Sequence, residues 1–203
     1  MGSKMTTDMT LMHLMCAKIC HDLAAPASAV AMGLEMLSEA PQDTPTRDLV
    51  SYSAQSTISK LELFRCLTGF AGMSNKPTGT DLEKTLKNYW PDNKISVTWK
   101  VANLENLQGP PARLLLATVL TAADGLPHGG TLTVEPNFSI TAIGPTAHLR
   151  EESAHALTGK STLSQQTAGT IVAFFANTLA HSLGGKLQIQ TGAENQFQIQ
   201  MVG

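Results

Sequence analysis

Charged side chains are scarce in this chain. Asp, Glu, Lys and Arg make up 15% of its 203 residues, whereas an ordinary soluble domain carries roughly 25%. Together with an apolar content of 42%, this excludes a charge-driven disordered chain, which would have few apolar residues and a high net charge. The 14 basic residues are balanced by 16 acidic ones, which argues against a nucleic-acid-binding protein with a basic face.

Long apolar runs are also missing, and cysteines are few. The longest charge-free stretch, residues 161–185, includes glutamine, asparagine, histidine and glycine, and a membrane-spanning helix needs about 20 mostly apolar residues. The N-terminus has no basic segment followed by an apolar one, so we expect no signal peptide. The three cysteines, Cys16, Cys20 and Cys66, are too few for a disulfide framework. We therefore expect a cytoplasmic protein without membrane association, in which Cys16 and Cys20 are apolar bundle residues rather than metal ligands.

The composition changes near residue 76, which predicts two domains, 1–76 and 77–203. The first domain shows two helical patterns, over 7–39 and 46–72, separated by a proline-containing break in which Thr46 fits the N-cap of the second helix. Two long helices joined by a short turn form an antiparallel hairpin. Because one hairpin leaves apolar surface uncovered, we expect two copies to form a homodimeric four-helix bundle.

The second domain alternates helical and strand patterns. We predict helices over 81–89, 112–125, 148–157 and 168–183, and strands over 94–101, 131–135, 138–143, 186–190 and 196–202. Alternation of apolar and polar residues marks the strands, and glycine pairs or prolines mark several helix boundaries. This order is typical of an α+β sandwich, in which helices pack on one face of a mixed sheet.

The most informative segment is His21-Asp22-Leu23-Ala24-Ala25-Pro26, in the first predicted helix. Apolar residues recur along this helix at steps of three and four, and they predict the seam of the bundle. They are Leu11, Met15, Ile19, Leu23, Ala27, Val30, Leu34 and Leu37. His21 lies about 200° around the helix from the seam, so we expect it to face solvent. A histidine attacks phosphorus as neutral imidazole, and an adjacent carboxylate such as Asp22 can orient the ring and stabilise positive charge.

The residues after His21 shape the surface around it. Pro26 lacks an N–H group and clashes with the carbonyl of Asp22, so we expect a kink and a free carbonyl one turn after the histidine. Most of the side chains on or near the histidine's face are small, which leaves the imidazole open to a bulky partner. We predict that four of these residues contact that partner: Ala25, Ser28, Met32 and Glu35.

The segment from His21 to Pro26 resembles the H-box of the dimerisation and phosphotransfer domain of sensor histidine kinases. Nearly the whole chain is similar to the ChpT-type histidine phosphotransferases of alphaproteobacterial phosphorelays, in which a helical hairpin precedes a degenerate relative of the kinase ATP-binding domain. The resemblance implies that His21 is the phosphoacceptor and that Asp22 is its acid/base or orienting neighbour. Bifunctional kinases often carry Thr or Asn four residues after the histidine. This chain has Ala25 there, which argues against an intrinsic phosphatase activity.

The patterns of a working ATP site do not occur in the sequence. Kinase domains use an Asn-x-x-x-Asn helix for Mg²⁺, an Asp-x-Gly-x-Gly turn for adenine and a glycine-rich lid for the phosphates. At the corresponding positions this chain has an Asn-free helix ending in Thr121-Ala122-Ala123, the turn Ile143-Gly144-Pro145, and a lid segment with the single glycine Gly169. We therefore expect that the chain itself binds no nucleotide, metal or other cofactor.

These observations predict a histidine phosphotransferase of a two-component phosphorelay, a phosphoprotein that acts without ATP. By the resemblance, His21 accepts the phosphoryl group from the receiver-domain aspartate of a hybrid histidine kinase and passes it to downstream response regulators, with Mg²⁺ supplied by the receiver domain. Two alternatives stay open. One is an ATP-dependent sensor histidine kinase core, and the other is a non-catalytic dimeric signalling scaffold.

Overall fold

The N-terminal part of the chain is a hairpin of two long helices. The computed structural model describes residues 2–69, 78–90, 94–192 and 194–203. Helix α1 (Gly2–Glu39) begins before the predicted residue 7, and helix α2 (Thr44–Thr68) follows a short turn. The predicted N-cap at Thr46 is wrong. The cap is Asp43, because Pro45 fits the first helical turn, where its missing N–H group would have no partner in any case.

The end of α2 is set by Gly69, which adopts a left-handed φ of 63° and donates its N–H to the carbonyl of Arg65. Glycine reaches this conformation without the steric cost that a Cβ atom brings. The helix therefore ends at Thr68, and the predicted end at Gly72 lies outside the described residues. The predicted domain boundary at residue 76 lies outside the described residues, so it stays a prediction.

The C-terminal part is a five-stranded mixed sheet with helices. The helices are α3 (Gly79–Tyr89), α4 (Pro110–Asp124), α5 (Glu151–Leu157) and α6 (Ile171–Ser182). The strands are β1 (Ile95–Trp99), β2 (Gly130–Val134), β3 (Ser139–Ile143), β4 (Lys186–Thr191) and β5 (Gln196–Val202). Their order in the sheet is β1-β2-β3-β5-β4; β1 and β2 run parallel and the other neighbours run antiparallel. The predicted α+β fold, a helical hairpin followed by a sandwich, is confirmed.

Helix α4 forms the centre of the core. Its residues from Leu114 to Ala123 are all buried, and it packs against α6 and the inner face of the sheet. Two of its buried threonines satisfy their hydroxyl groups by donating to backbone carbonyls four residues earlier. This arrangement agrees with the requirement that buried polar groups find partners.

Arg113, in the first turn of α4, joins the two parts of the chain. Its Nε donates to the carbonyl of Leu67 in the last turn of α2, at 3.0 Å. Its guanidinium lies over the ring of Phe175 in α6, with Cζ 5.3 Å from the ring centroid. One side chain therefore links the end of the hairpin to two helices of the sandwich.

The contact line between α1 and α2 differs from the predicted seam. Pro26 and Gly33 are buried against α2, whereas the predicted seam residues Ala27 and Leu34 are exposed. A 3.6-residue turn drifts against any fixed apolar spacing over a helix of this length, so the apolar pattern cannot locate one seam along all of it. The predicted residue Met15 is buried, and the other seam residues are half-buried.

The drift leaves an apolar stripe on one side of the hairpin. We define the apolar stripe as Met9, Cys16, Ala27 and Leu34 of α1 with Ile58 and Leu61 of α2, all exposed. At about 100° per residue, the four α1 residues lie roughly 90° around the helix axis from the line of contact with α2. The two α2 residues face the same side of the antiparallel pair. The sandwich packs on the opposite side, where Leu63 and Leu67 of α2 are buried.

Candidate functional site

His21 projects from the outer surface of α1, away from its contact with α2. Its side chain is 78% exposed, as the sequence predicts. The apolar stripe lies about 130° away around the helix axis. A partner protein can therefore approach the imidazole without disturbing the stripe.

Asp22 fixes one nitrogen of the ring. The distance between His21 Nδ1 and Asp22 Oδ1 is 3.1 Å. The carboxylate is an acceptor, so we assign the proton to Nδ1, and Nε2 then carries the free lone pair. With Nδ1 engaged by Asp22, Nε2 is the ring nitrogen available as a nucleophile.

Lys18 holds the same carboxylate from the preceding helical turn. Its Nζ lies 3.0 Å from Asp22 Oδ1 and 2.8 Å from Oδ2. The Asp22 side chain is only 13% exposed, so this pair is better shielded from water than an ordinary surface pair. The spacing of four residues between Lys18 and Asp22 is a signal in the sequence that motif-based reasoning missed.

Pro26 removes the usual helical partner of the Asp22 carbonyl, as expected, whereas the kink at this point stays a prediction. It lies inside the helix, so no N–H at position 26 can donate to the carbonyl of Asp22. That carbonyl accepts a hydrogen bond from Lys60 Nζ of α2 at 2.9 Å instead. The free carbonyl follows from the sequence, but the lysine that binds it is 38 positions away and gave no signal.

The predicted partner-contact residues lie along the outer side of α1, beyond His21 toward the hairpin turn. All four, Ala25, Ser28, Met32 and Glu35, are exposed. Met32 is 63% exposed, although it is a large apolar side chain. By helical spacing all four lie within about 60° of His21 around the axis. Their contact with a partner stays a prediction.

A cleft of about 390 Å³ opens beside Asp22, between the hairpin and the sandwich. Lys18 and Asp22 line one wall, and Tyr89, Lys94 and Asp124 line others. Burial raises the pKa of Tyr89 to about 12, and the nearby carboxylates of Asp22 and Asp124 add to the shift. The cleft therefore brings two carboxylates, two ammonium groups and a phenol close to the segment His21–Pro26.

Asp124 lies in this cleft at the last turn of α4. The residue is exposed overall, but the surrounding walls partly desolvate its carboxyl group and so raise the pKa of that group. Lys18 and Arg150 oppose this rise, and Asp22 adds to it. Lys18 therefore acts on both carboxylates: it is ion-paired with Asp22, and its charge opposes the rise in the pKa of Asp124.

Two further properties bear on possible functions. Within the described ranges, no three His, Cys, Asp or Glu side chains come together in a way that could hold a metal ion. The same ranges contain no helix that is long and apolar enough to cross a membrane. Cys16 and Cys20 are exposed in the single chain, so their predicted burial in a bundle depends on a second copy.

Comparisons with known proteins show what the chain as a whole is similar to. The family model described as histidine phosphotransferase C-terminal domain matches residues 79–195. Protein phosphotransferase ChpT of Brucella abortus (strain 2308) is 28% identical over 190 residues, which cover 90% of each chain. The solved structure of a bacterial phosphotransferase matches with a TM-score of 0.80 at 27% identity, and covers 94% of this chain and 95% of that one.

Proposed function

This chain belongs to the histidine phosphotransferase family, whose C-terminal domain model spans more than half of its residues, and we propose that His21 is the side chain that carries the phosphoryl group. One observation supports this assignment above others. The imidazole is exposed while its Nδ1 is hydrogen-bonded to a shielded carboxylate. A phosphoacceptor needs an accessible nitrogen and a means of stabilising the charge that develops on the ring.

The proposed reaction is an in-line displacement at phosphorus. Nε2 of His21 attacks the phosphorus of an aspartyl phosphate on a receiver domain, and the bond from phosphorus to the aspartate oxygen breaks. The receiver recovers a free carboxylate, and the imidazole keeps the proton on Nδ1. The positive charge on the phosphorylated ring is stabilised by the side chain of Asp22.

The partner supplies what the chain lacks for this reaction. Mg²⁺ held by the receiver domain would neutralise the phosphate oxygens as the group moves. The proposed donor is the receiver domain of a hybrid histidine kinase, and the proposed acceptors are response regulators that use the reverse reaction. The chain itself is proposed to bind neither ATP nor metal, and to work in the cytoplasm.

We also propose that two copies pair through the apolar stripe. The stripe presents large side chains such as Leu34 and Ile58, which are 56% and 49% exposed, on the side of the hairpin that the sandwich leaves open. Pairing of two hairpins there forms a four-helix bundle that buries them. The partner then docks on the separate surface formed by His21, Ala25, Ser28, Met32 and Glu35, and the sandwich adds a second contact surface.

Phosphotransfer from a labelled receiver domain tests the assignment of His21. The wild-type chain and a His128→Asn variant, which lacks another exposed histidine, should both acquire label, whereas His21→Asn should not. Label retained on His21→Asn contradicts the assignment. Labelling of the wild type by ATP alone, without a receiver domain, supports the kinase alternative instead, and no labelling by either donor supports the scaffold.

A further inference from the structure

Helix α1 lacks one main-chain hydrogen bond, at Asp22, the residue next to His21. Pro26 removes the donor that would normally pair with the carbonyl of Asp22. An α-helix without this bond bends or unwinds locally, since the carbonyl turns outward to find another partner. The neighbouring residue is His21, so uncontrolled bending here changes the direction in which the imidazole points.

Lys60 of α2 occupies the position of the missing donor. Its Nζ lies 2.9 Å from the carbonyl oxygen of Asp22, and the side chain is half-buried between the helices. In the part of the chain that the structure describes, no carboxylate lies within ion-pair distance of this ammonium group. The Lys60 ammonium group therefore donates to the carbonyl of Asp22 rather than to a carboxylate of the described residues.

Two lysines thus bind Asp22, one at its carboxylate and the other at its main-chain carbonyl. Lys18 binds the carboxylate from the same helix, and Lys60 binds the main-chain carbonyl from the other helix. The carboxylate in turn lies 3.1 Å from His21 Nδ1. A shift of the Asp22 backbone therefore moves the acceptor that orients the ring. In-line attack depends steeply on such alignment, since a displacement of about 1 Å can lower a rate by about 100-fold.

We propose that Lys60 is a positioning residue for phosphotransfer, and that it replaces the backbone hydrogen bond that Pro26 removes. The inference rests on the proposed role of His21 as the phosphoacceptor. Lys60 does not touch the phosphoryl group. It fixes the backbone of Asp22 relative to α2, and so fixes the line along which Nε2 meets the incoming phosphorus.

A double-mutant cycle tests this role. Lys60→Met should lower the rate of transfer to His21 by about 10-fold or more at saturating receiver domain, with little change in the receiver concentration that gives half the maximal rate. In the Pro26→Ala background, the new N–H can donate to the carbonyl of Asp22. The same Lys60→Met change should then cost less than about 3-fold, because the backbone supplies the bond again. Lys100→Met, which removes a lysine paired with Glu135 on the sandwich, is the matched control and should leave the rate unchanged.

Three outcomes overturn the role of Lys60 and leave the function of His21 intact, provided that His21→Asn takes up no label. These are an unchanged rate in Lys60→Met, an equal loss in the wild-type and Pro26→Ala backgrounds, or a loss confined to receiver affinity. The nitrogen chemical shifts of the His21 ring give a second measurement that does not need a partner. These shifts should show a smaller share of the tautomer that carries its hydrogen on Nδ1 in Lys60→Met, and this share should recover in the double variant. Unchanged shifts in Lys60→Met also contradict the proposal. Label retained on His21→Asn instead overturns the proposed function and the positioning role with it.

Discussion

Gly33 of α1 lies directly against Val50 of α2. A Cβ atom built on Gly33 would overlap Cγ2 of Val50, so the side chain of Val50 packs directly on the backbone of α1 at this point. Gly33 is buried although it has no side chain. This contact is one of those that pack α1 against α2 between the segment His21–Pro26 and the hairpin turn.

Gly33→Ala should destabilise the protein by about 1–2 kcal/mol, because the added methyl group pushes on Val50 and overpacking costs this much. Alanine is a better helix former than glycine by up to about 1 kcal/mol. Once the Val50 side chain is shortened, the stability change caused by Gly33→Ala should therefore reverse its sign. In a Val50→Ala background, Gly33→Ala should stabilise. Urea unfolding of the four proteins measures both effects, and the same sign in both backgrounds contradicts the close contact.

Leu34→Glu should prevent the proposed dimer, because it places a charge in the apolar stripe that a second copy would bury. Light scattering should give a mass of twice 21.6 kDa for the wild type and a single-chain mass for the variant. Met36→Glu is the matched control, since Met36 is 53% exposed but lies on the opposite side of α1. A dimer that survives Leu34→Glu, or one lost equally in Met36→Glu, shows that the stripe is not the interface.

Asp22→Asn should slow phosphotransfer by on the order of 100-fold. The asparagine oxygen can still accept from Nδ1, but it carries no charge to stabilise the phosphorylated imidazole. Single-turnover transfer from a labelled receiver measures the effect. Glu135→Gln removes another carboxylate paired with a lysine and should transfer at the wild-type rate. A wild-type rate for Asp22→Asn means that the carboxylate has no part in the reaction.

Asp124→Asn should stabilise the protein at neutral pH, because the wild-type carboxylate is ionised in a desolvating cleft. Burial raises its pKa in the folded state above the ordinary value of 3.8, so the folded chain binds this proton more readily than the unfolded chain. Stability therefore falls as pH rises from 3.8 through the folded pKa, and the loss is complete above it. The gain in melting temperature from Asp124→Asn should be largest near pH 7 and vanish below pH 3.8. A gain in melting temperature that increases as the pH falls contradicts a raised pKa for Asp124.

Arg113→Met should weaken the attachment of the sandwich to the hairpin by about 1–3 kcal/mol. It leaves the carbonyl of Leu67 without its donor, and it removes the cation over Phe175. Arg113→Lys should recover only part of the lost stability, since a lysine cannot both stack on Phe175 and donate to the carbonyl of Leu67. Arg47→Met is the control, because Arg47 also donates to a backbone carbonyl, that of Pro41, but at the exposed hairpin turn. An equally small effect of both methionine variants excludes a joining role for Arg113.

Local patterns predicted most of the architecture. Helical periodicity placed both hairpin helices and the exposed His21, because these depend on neighbours within a turn or two. Proline chemistry predicted the free carbonyl of Asp22. The error at Thr46 is also local: Asp43 and Thr46 are both good capping residues, and the sequence alone does not decide between them.

The remaining features depend on contacts between distant parts of the chain. The free carbonyl requires some donor, but only the packing of α2 against α1 selects Lys60. The burial of Pro26 and Gly33 in place of Ala27 and Leu34 depends on how α2 crosses α1. The desolvation of Asp124 depends on walls contributed by several elements, and no spacing in the sequence records it.

The attachment through Arg113 also has a mechanical consequence. The five strands span about 19 Å across the sheet, so a rotation of about 10° at this joint moves the far edge by about 3 Å relative to the near edge. That displacement is about as long as the donor–acceptor distance in a hydrogen bond. A surface on the sandwich can therefore meet a partner already seated at His21 only if the angle between the two parts of the chain stays nearly constant, and Arg113 contributes to this together with the buried contacts of Leu63 and Leu67.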